Sequence, residues 1–374
     1  MSLEQRALSA QRASHQIRHR LRTRFEERIP RRLDDGSYSP AGTPATGVAE
    51  CIDLVDVGVR RLDVAHARRA TALVCDAGSP SGRLAVLGGS GALLVGDGDG
   101  PQGRDELSAL VRATTTGAVA EPSAREILGV EIRRRAWRSL RRRRPSLSVL
   151  LATARPAEAP HAAQQLARQL NVDFQLVVGL HGSAWTSEHA APFRELGDDI
   201  VVLHVDEAVP LGSVLSLLSH TADGDVVTKW DDDDFYGPHH LEDLQSALAY
   251  SGAELVGRGS DFVYLQAADV TVRRRGRSES FDRAVAGGTL MIRSEHLAEV
   301  GGWGDLARHV DLDLIDRVHR GGGWTYRTHP FGYLLRRSAS DTSAHTWSVS
   351  DRYFEDAAIE RRPGAAFEFA GIVE

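Results

Sequence analysis

The sequence predicts an α/β fold with a mostly parallel sheet flanked by helices. Between residues 146 and 240, short apolar runs alternate with helical patterns, which implies right-handed crossovers between parallel strands. The run 226–230 is rich in β-branched and aromatic residues and reads as a buried strand. Directly after it come four consecutive aspartates, Asp231 to Asp234, and then Pro238 at the start of a helical pattern. Beyond the carboxyl ends of strands is where open α/β sheets bind ligands.

Taken in order, the chain divides into four stretches. Residues 1–48 hold an Arg-rich helix over about 4–29 and a Pro/Gly linker over 30–48. Ile17, Leu21 and Phe25 make one apolar stripe on that helix, which is expected to dock on its own protein. The alternative is peripheral contact with an anionic membrane surface. Residues 49–145 form a small α/β domain without an assigned role. Its candidate strands are 51–59, 72–75, 84–87 and 92–95, with a helix over 106–113. The glycines at 88–91 and 96–100 match neither a phosphate loop nor an EF-hand and read as hairpin turns. A helix over 124–144 ends in Arg141 to Arg144 and Pro145, a connector with a solvated charge run.

Residues 146–350 carry the clearest pattern. Strands are expected at 147–151, 174–180, 200–205 and 226–230, and helices at 161–170 and 211–220. Leu241, Leu244 and Leu248 give the helix after Pro238 one apolar face. Shorter strands follow at 254–256, 261–265 and 270–274. Gly287-Gly288-Thr289 opens a strand over 290–293, and Ser294 caps a short helix. The helix 310–318 buries Leu314, Ile315 and Val318 and stops at Gly321-Gly322-Gly323. Strands at 324–328 and 331–336 complete it. Residues 351–374 read as a polar, partly anchored tail.

In extended chain, residues i and i+2 point the same way, so Asp231 and Asp233 are expected to converge, with Asp232 and Asp234 facing the supporting structure. Converging carboxylates repel unless a cation neutralises them, and their oxygens suit Mg2+ or Mn2+. Lys229 is the only lysine in the chain, which suggests that a compact ammonium is wanted beside the cluster. The formal net charge of -6 gives no sign of bulk nucleic-acid binding. Cys51 and Cys75 lack metal or disulfide spacing, and there is no secretory signal pattern or membrane-length apolar run. A cytoplasmic protein is expected, with peripheral contact to the inner face of the membrane as the variant reading.

These residues together resemble the GT-A-fold glycosyltransferases of the family 2 type, a Rossmann-like architecture, over roughly 146–347. The resemblance rests on Thr153-x-Arg155-Pro156, on Asp231-Asp232-Asp233-Asp234 followed by Pro238 and Leu241, on Gly287-Gly288-Thr289, on Gly301-Gly302-Trp303, and on Asp311-Leu312-Asp313-Leu314. It implies a metal-dependent, inverting transferase moving a sugar from a nucleotide-sugar, UDP- or GDP-linked, to a hydroxyl of a glycan, lipid-linked or small-molecule acceptor. By motif position, Asp311 would be the base, with Asp313 as the alternative. Asp231, Asp233 and His345 would hold Mn2+ or Mg2+. Thr153, Arg155, Gly212, Lys229, Asp231 and Arg336 would contact the donor, with Arg336 or Arg337 at the diphosphate. The sequence departs from the family at His181-Gly182-Ser183, where an acidic segment is usual, and at Val310, where an acid is usual. Paired aspartates at a strand end also serve nucleotidyl or phosphoryl transfer. The missing acid alternatively fits a non-catalytic nucleotide-sugar or carbohydrate-binding pseudo-enzyme.

Overall fold

The computed structural model describes residues 51–53, 72–75, 81–89, 93–96, 101, 103–114, 122–140, 144–338 and 351–373. The expected helix 4–29, the linker 30–48, the glycines 97–100, Arg141 to Arg143 and His345 lie outside the described residues. The chain divides into two compact units, Met1–Leu140 and Arg141–Glu374. Among the described residues, no helix is long and apolar enough to cross a membrane.

In the first unit, β1 (Cys51–Asp53), β2 (Ala72–Cys75) and β3 (Leu94–Gly96) form a parallel sheet in that order. Helices α1 (Ser81–Gly89), α2 (Glu106–Ala113) and α3 (Pro122–Ser139) complete it. Asp105 caps α2, its carboxylate accepting from the Ser108 N–H at 3.0 Å. Leu84, Leu87, Leu94, Leu107, Val111, Ile132 and Ala136 share the core. Two expectations fail here. Residues 84–87 are helical, because a run of four apolar residues fits a buried helix face as well as a strand. The strands are parallel and residues 88–89 are helical, so these glycines do not turn a hairpin; Gly88 and Gly89 end α1 against Ala136 of α3.

The second unit is mixed α/β with a large, mostly parallel sheet flanked by helices. Its elements are β4 (Leu147–Thr153), α4 (Ala159–Ala167), β5 (Gln175–His181), α5 (Ala191–Arg194), β6 (Ile200–Val205), α6 (Leu211–Thr221), β7 (Val226–Trp230), β8 (Phe235–Tyr236), α7 (His240–Ser251) and β9 (Leu255–Gly257). There follow β10 (Phe262–Leu265), β11 (Val270–Arg274), β12 (Ser280–Phe281), β13 (Met291–Arg293), α8 (Ser294–Glu299), α9 (Val310–Arg320), β14 (Thr325–Arg327), β15 (Tyr333–Arg337), α10 (Asp351–Asp356) and β16 (Ala358–Pro363). The main sheet has eight strands in the order β12-β14-β9-β13-β7-β4-β5-β6. β4, β5, β6 and β7 are parallel, while β13 runs antiparallel between β7 and β9.

Strand alternation sorts the core into two layers. Val149 and Leu151 of β4 face Ala162, Ala163 and Leu166 of α4 and Leu241, Leu244 and Leu248 of α7. Leu150 faces the other way, into a layer with Val214, Leu215 and Leu218 of α6 and Leu314, Ile315 and Val318 of α9. Each such fully buried leucine contributes roughly 1.5–3 kcal/mol. The expected strand and helix positions hold within a few residues, with local differences. Pro238 lies in the turn before α7, which begins at His240. Ser294 does not cap α8; Arg293 precedes the helix, and the Ser294 hydroxyl donates to the Gly224 carbonyl.

Residues 351–373 are more than a loosely held tail. β16 pairs antiparallel with β11 in a five-stranded sheet ordered β16-β11-β10-β15-β8. That sheet ends at β8, immediately after the four aspartates, so it buttresses the carboxyl end of β7.

Candidate active site

Past Trp230 the backbone leaves the extended form and bends through 232–234 before pairing again as β8. The two-residue period therefore lapses, and the four carboxylates separate differently from the expectation. Asp232 accepts from the Thr153 hydroxyl and from Arg155 Nε at 3.1 Å, and Arg155 Nη1 reaches Asp233 at 2.7 Å. One guanidinium thus clamps two neighbouring carboxylates through its forked donors. Asp234 is buried, accepting from Tyr333 Oη at 2.6 Å and from the Arg336 N–H at 2.9 Å. Asp231 stands apart. Its carboxylate is the most exposed of the four, at 35% of the side chain, and pairs with Lys229 Nζ. Asp232 and Asp234 do face the supporting structure, but Asp233 shares Arg155 with Asp232 instead of pairing with Asp231.

Burial works against the Lys229 ammonium, but Asp231, and more weakly Asp311 and Asp234, outweigh it and raise the group above its usual range. Arg155 is likewise raised, its burial outweighed by Asp232 and Asp233. Burial, with Asp233 and Asp231 adding to it, pushes the Asp234 carboxyl well up. Tyr236 and Tyr333 are raised well above the usual phenol range, chiefly by burial, and remain neutral donors.

A second carboxylate comes from α9. Its N-cap, His309, has a left-handed backbone with φ 60°, and Asp311 and Asp313 occupy the first turn, where the helix dipole favours acids. Asp313 is engaged: Arg317 holds it with Nε at 2.9 Å and Nη2 at 2.8 Å, and Arg317 Nη1 also donates to Val300 O at 2.7 Å. No described residue hydrogen-bonds the Asp311 carboxylate.

Two glycines bring Asp311 to the acidic turn. A Cβ on Gly287 would lie 2.7 Å from Asp311 Oδ2, and one on the next residue, Gly288, would lie 2.7 Å from Asp231 Oδ2. Side chains at either position would occupy the space that the carboxylates use. Asp231 and Asp311, far apart in sequence, therefore rest against consecutive residues of one turn. Tyr236 fastens this arrangement. Its hydroxyl accepts from the Asp231 N–H at 3.0 Å and donates to Gly288 O at 3.1 Å, while its ring stacks on Trp230.

Of the residues expected at a site, Thr153 and Arg155 meet Asp232 and Asp233, and Lys229, Asp231 and Asp311 meet around Gly287-Gly288. Arg336 contributes its backbone to Asp234 and pairs its guanidinium with Glu158. Arg337 turns instead to Asp351 and Phe354, as strand alternation requires. Gly212, expected at a donor-contacting turn, packs against the 304–306 loop. A Cβ there would fall 1.7 Å from Gly304 O, and its N–H donates to Leu306 O at 2.9 Å. It permits a close backbone approach to the loop that also packs on Asp313. Tyr236, Tyr333 and Glu158 join the site without having been expected there. Tyr236 follows the aspartates directly and was legible as a neighbour; the other two come from segments whose pairing only the fold reveals.

Among the described residues, no three His, Cys, Asp or Glu side chains form a metal-holding group. The donor set nevertheless fits a hard divalent ion held by one or two carboxylates, with phosphate oxygens and water supplying the rest, as Mg2+ commonly is. Asp231 is the carboxylate open to that role, with Asp233 behind its Arg155 pair.

No protein-family model matches the chain, and no curated protein matches it. Solved structures do. The crystal structure of S. aureus TarS is 14% identical, with 52% of this chain and 37% of that one covered and a TM-score of 0.40. Residues 1–349 of TarS in complex with UDP-GlcNAc are 14% identical, covering 57% of this chain and 64% of that one, with a TM-score of 0.42. The mannosyltransferase PcManGT from Pyrobaculum calidifontis, in complex with GDP-Man and Mn2+, is 16% identical, covering 57% and 65%, with a TM-score of 0.41. The chain thus spans less than two thirds of the length of each of these proteins.

Proposed function

We propose that the chain is a metal-dependent, inverting glycosyltransferase that moves a sugar from a nucleotide-sugar to a hydroxyl acceptor. The observation that carries this reading is the meeting of Asp231 and Asp311 across Gly287-Gly288 at the carboxyl end of β7. One carboxylate lies on the side of the acidic turn, and the other arrives on a helix start with no hydrogen-bond partner among the described residues. That is the division of labour glycosyl transfer needs. The acceptor oxygen bonds to the anomeric carbon, the bond from that carbon to the diphosphate breaks with its electrons leaving on the diphosphate, and the acceptor proton passes to Asp311. Asp313 is unsuited to the same task because Arg317 occupies it. Asp231 and Asp233 would hold Mn2+ or Mg2+, which when bound supplies positive charge to the departing diphosphate. Arg155 fixes Asp233, and Arg336 reaches the diphosphate only by exchanging Glu158 for it. A UDP- or GDP-sugar is the donor class.

The test is nucleoside diphosphate release from a panel of nucleotide-sugars with Mn2+ and candidate acceptors. Asp311→Asn is expected to bind nucleoside diphosphate like the wild type and to lose about 100-fold or more in transfer. No release from any donor would sink the proposal, and pyrophosphate release from a nucleoside triphosphate would replace it with nucleotidyl transfer.

A further inference from the structure

We propose that Lys229 is a built-in counter-cation that neutralises Asp231 beside Asp311 and holds down the affinity of the free site for a divalent ion. The inference rests on reading Asp231 as a metal-side carboxylate.

Lys229 is the only lysine among 45 basic residues. It sits one residue before the end of β7, where its backbone is fixed from both sides. It lies opposite Leu150 of β4, and its N–H donates to Leu290 O at 2.8 Å. The stem is buried, with 9% of the side chain exposed, and the ammonium is delivered onto Asp231 Oδ1. Asp311 acts on the same ammonium, consistent with the two carboxylates lying against Gly287 and Gly288.

The site thus divides its charges between two cations of different shape. The planar guanidinium of Arg155 spans Asp232 and Asp233, which are adjacent in the chain. Asp231 and Asp311 come from separate elements and converge from different directions. A compact ammonium settles on the single carboxylate of Asp231 there, whereas the fork of an arginine spans two neighbouring ones. The remaining aspartate, Asp234, takes neutral donors. A divalent ion approaching Asp231 therefore meets a carboxylate already neutralised, and a like charge a few ångströms away. Removing Lys229 would leave Asp231 uncompensated beside Asp311 and make it a stronger cation site.

The experiment titrates Mn2+ alone into the full chain, following free Mn2+ by electron paramagnetic resonance with no nucleotide present. Lys229→Met keeps the apolar stem and removes the charge. It is expected to bind Mn2+ about tenfold or more tightly than the wild type, and adding Asp231→Asn is expected to erase the gain. Lys229→Arg, which keeps the charge, is expected to bind no more tightly than the wild type. Equal or weaker Mn2+ binding by Lys229→Met overturns the proposal. So does a gain in Lys229→Arg as large as in Lys229→Met, since packing rather than charge would then be responsible. Thermal unfolding of each variant verifies that a folded protein is being titrated. A chain that releases no nucleoside diphosphate but shows the Lys229→Met gain would overturn the transferase reading alone; an active enzyme without the gain would overturn only the role of Lys229.

Discussion

Asp311 and Asp313 share one turn of α9, yet their surroundings give them different work. Asp313 is half of an i,i+4 pair with Arg317, partly exposed on both sides. Such pairs contribute about 0.3–0.5 kcal/mol on a helix, and this one also orients the loop whose Val300 carbonyl Arg317 holds. Asp313→Asn should therefore leave transfer within about tenfold of the wild type while lowering the melting temperature slightly. A loss as large as that of Asp311→Asn in the same assay would move the base to Asp313. Gly212 shows how a residue type can be legible and its reason not. The sequence marks a glycine where a donor turn was expected, but the physical demand is a backbone carbonyl 1.7 Å from where a Cβ would stand. Gly212→Ala must push α6 and the 304–306 loop apart. Overpacking of this kind costs about 1–3 kcal/mol, measurable by urea unfolding, and unchanged stability would show that the loop yields freely.

At the scale of elements, strands β6 and β7 lie where the apolar runs placed them, because an isolated buried run bounded by turns leaves little choice of period. Leu84 and Leu87 misled because four residues cannot separate the two periods. The grouping of the aspartates was misjudged because alternation holds only in extended chain, and the chain bends at Asp232. Least legible was the network joining α7 to β9 and the turn before β15. Arg258 is fully buried, donating to His240 Nδ1 at 3.2 Å, to His329 Nδ1 at 2.9 Å and to Asp243 Oδ2 at 2.8 Å. Nothing in the spacing of these residues announces it. Burial first, and Arg258 second, lower both histidines below their usual 6.5. The unfolded chain therefore binds more protons as pH falls below about 6.5, and stability present above that value is lost going down. Each histidine contributes a slope of up to about 1.4 kcal/mol per pH unit. Buried Asp232, Asp234 and Asp261, raised by burial, act with the opposite sign. The informative quantity is consequently the difference between proteins. Urea unfolding of His329→Gln between pH 7.5 and 5.5 should show less loss of stability on acidification than the wild type. Parallel pH profiles would mean that His329 does not titrate on unfolding.

At the scale of the second unit, the acidic turn depends on chain that reaches it from the far end of the sequence. Phe354 of α10 is fully buried with Val263, Leu265 and Val272, and Arg337 lies over its ring. β16 closes the edge of β11. Beyond it, Ala370 accepts from the Gly332 N–H at 2.7 Å, Gly332 accepts in turn from the Gly237 N–H at 3.0 Å, and Gly237 lies three residues past the last aspartate of the cluster. Tyr333, next to Gly332, donates to Asp234. The C-terminal segment thus supports the turn that carries Asp231 to Asp234 through the strand that lies between them. The polar composition of 351–374 conceals this, because a strand on a sheet edge needs few apolar residues, and the ladder hydrogen bonds that anchor it leave no trace in composition. Phe354→Ala should therefore do two things at once. It should cost about 3–5 kcal/mol in urea unfolding, as expected for a buried aromatic, and it should weaken nucleoside diphosphate binding although Phe354 is not placed at the donor. A variant that loses stability but binds nucleoside diphosphate like the wild type would show that β15 holds the acidic turn unaided, and that the C-terminal segment serves the stability of its own sheet alone.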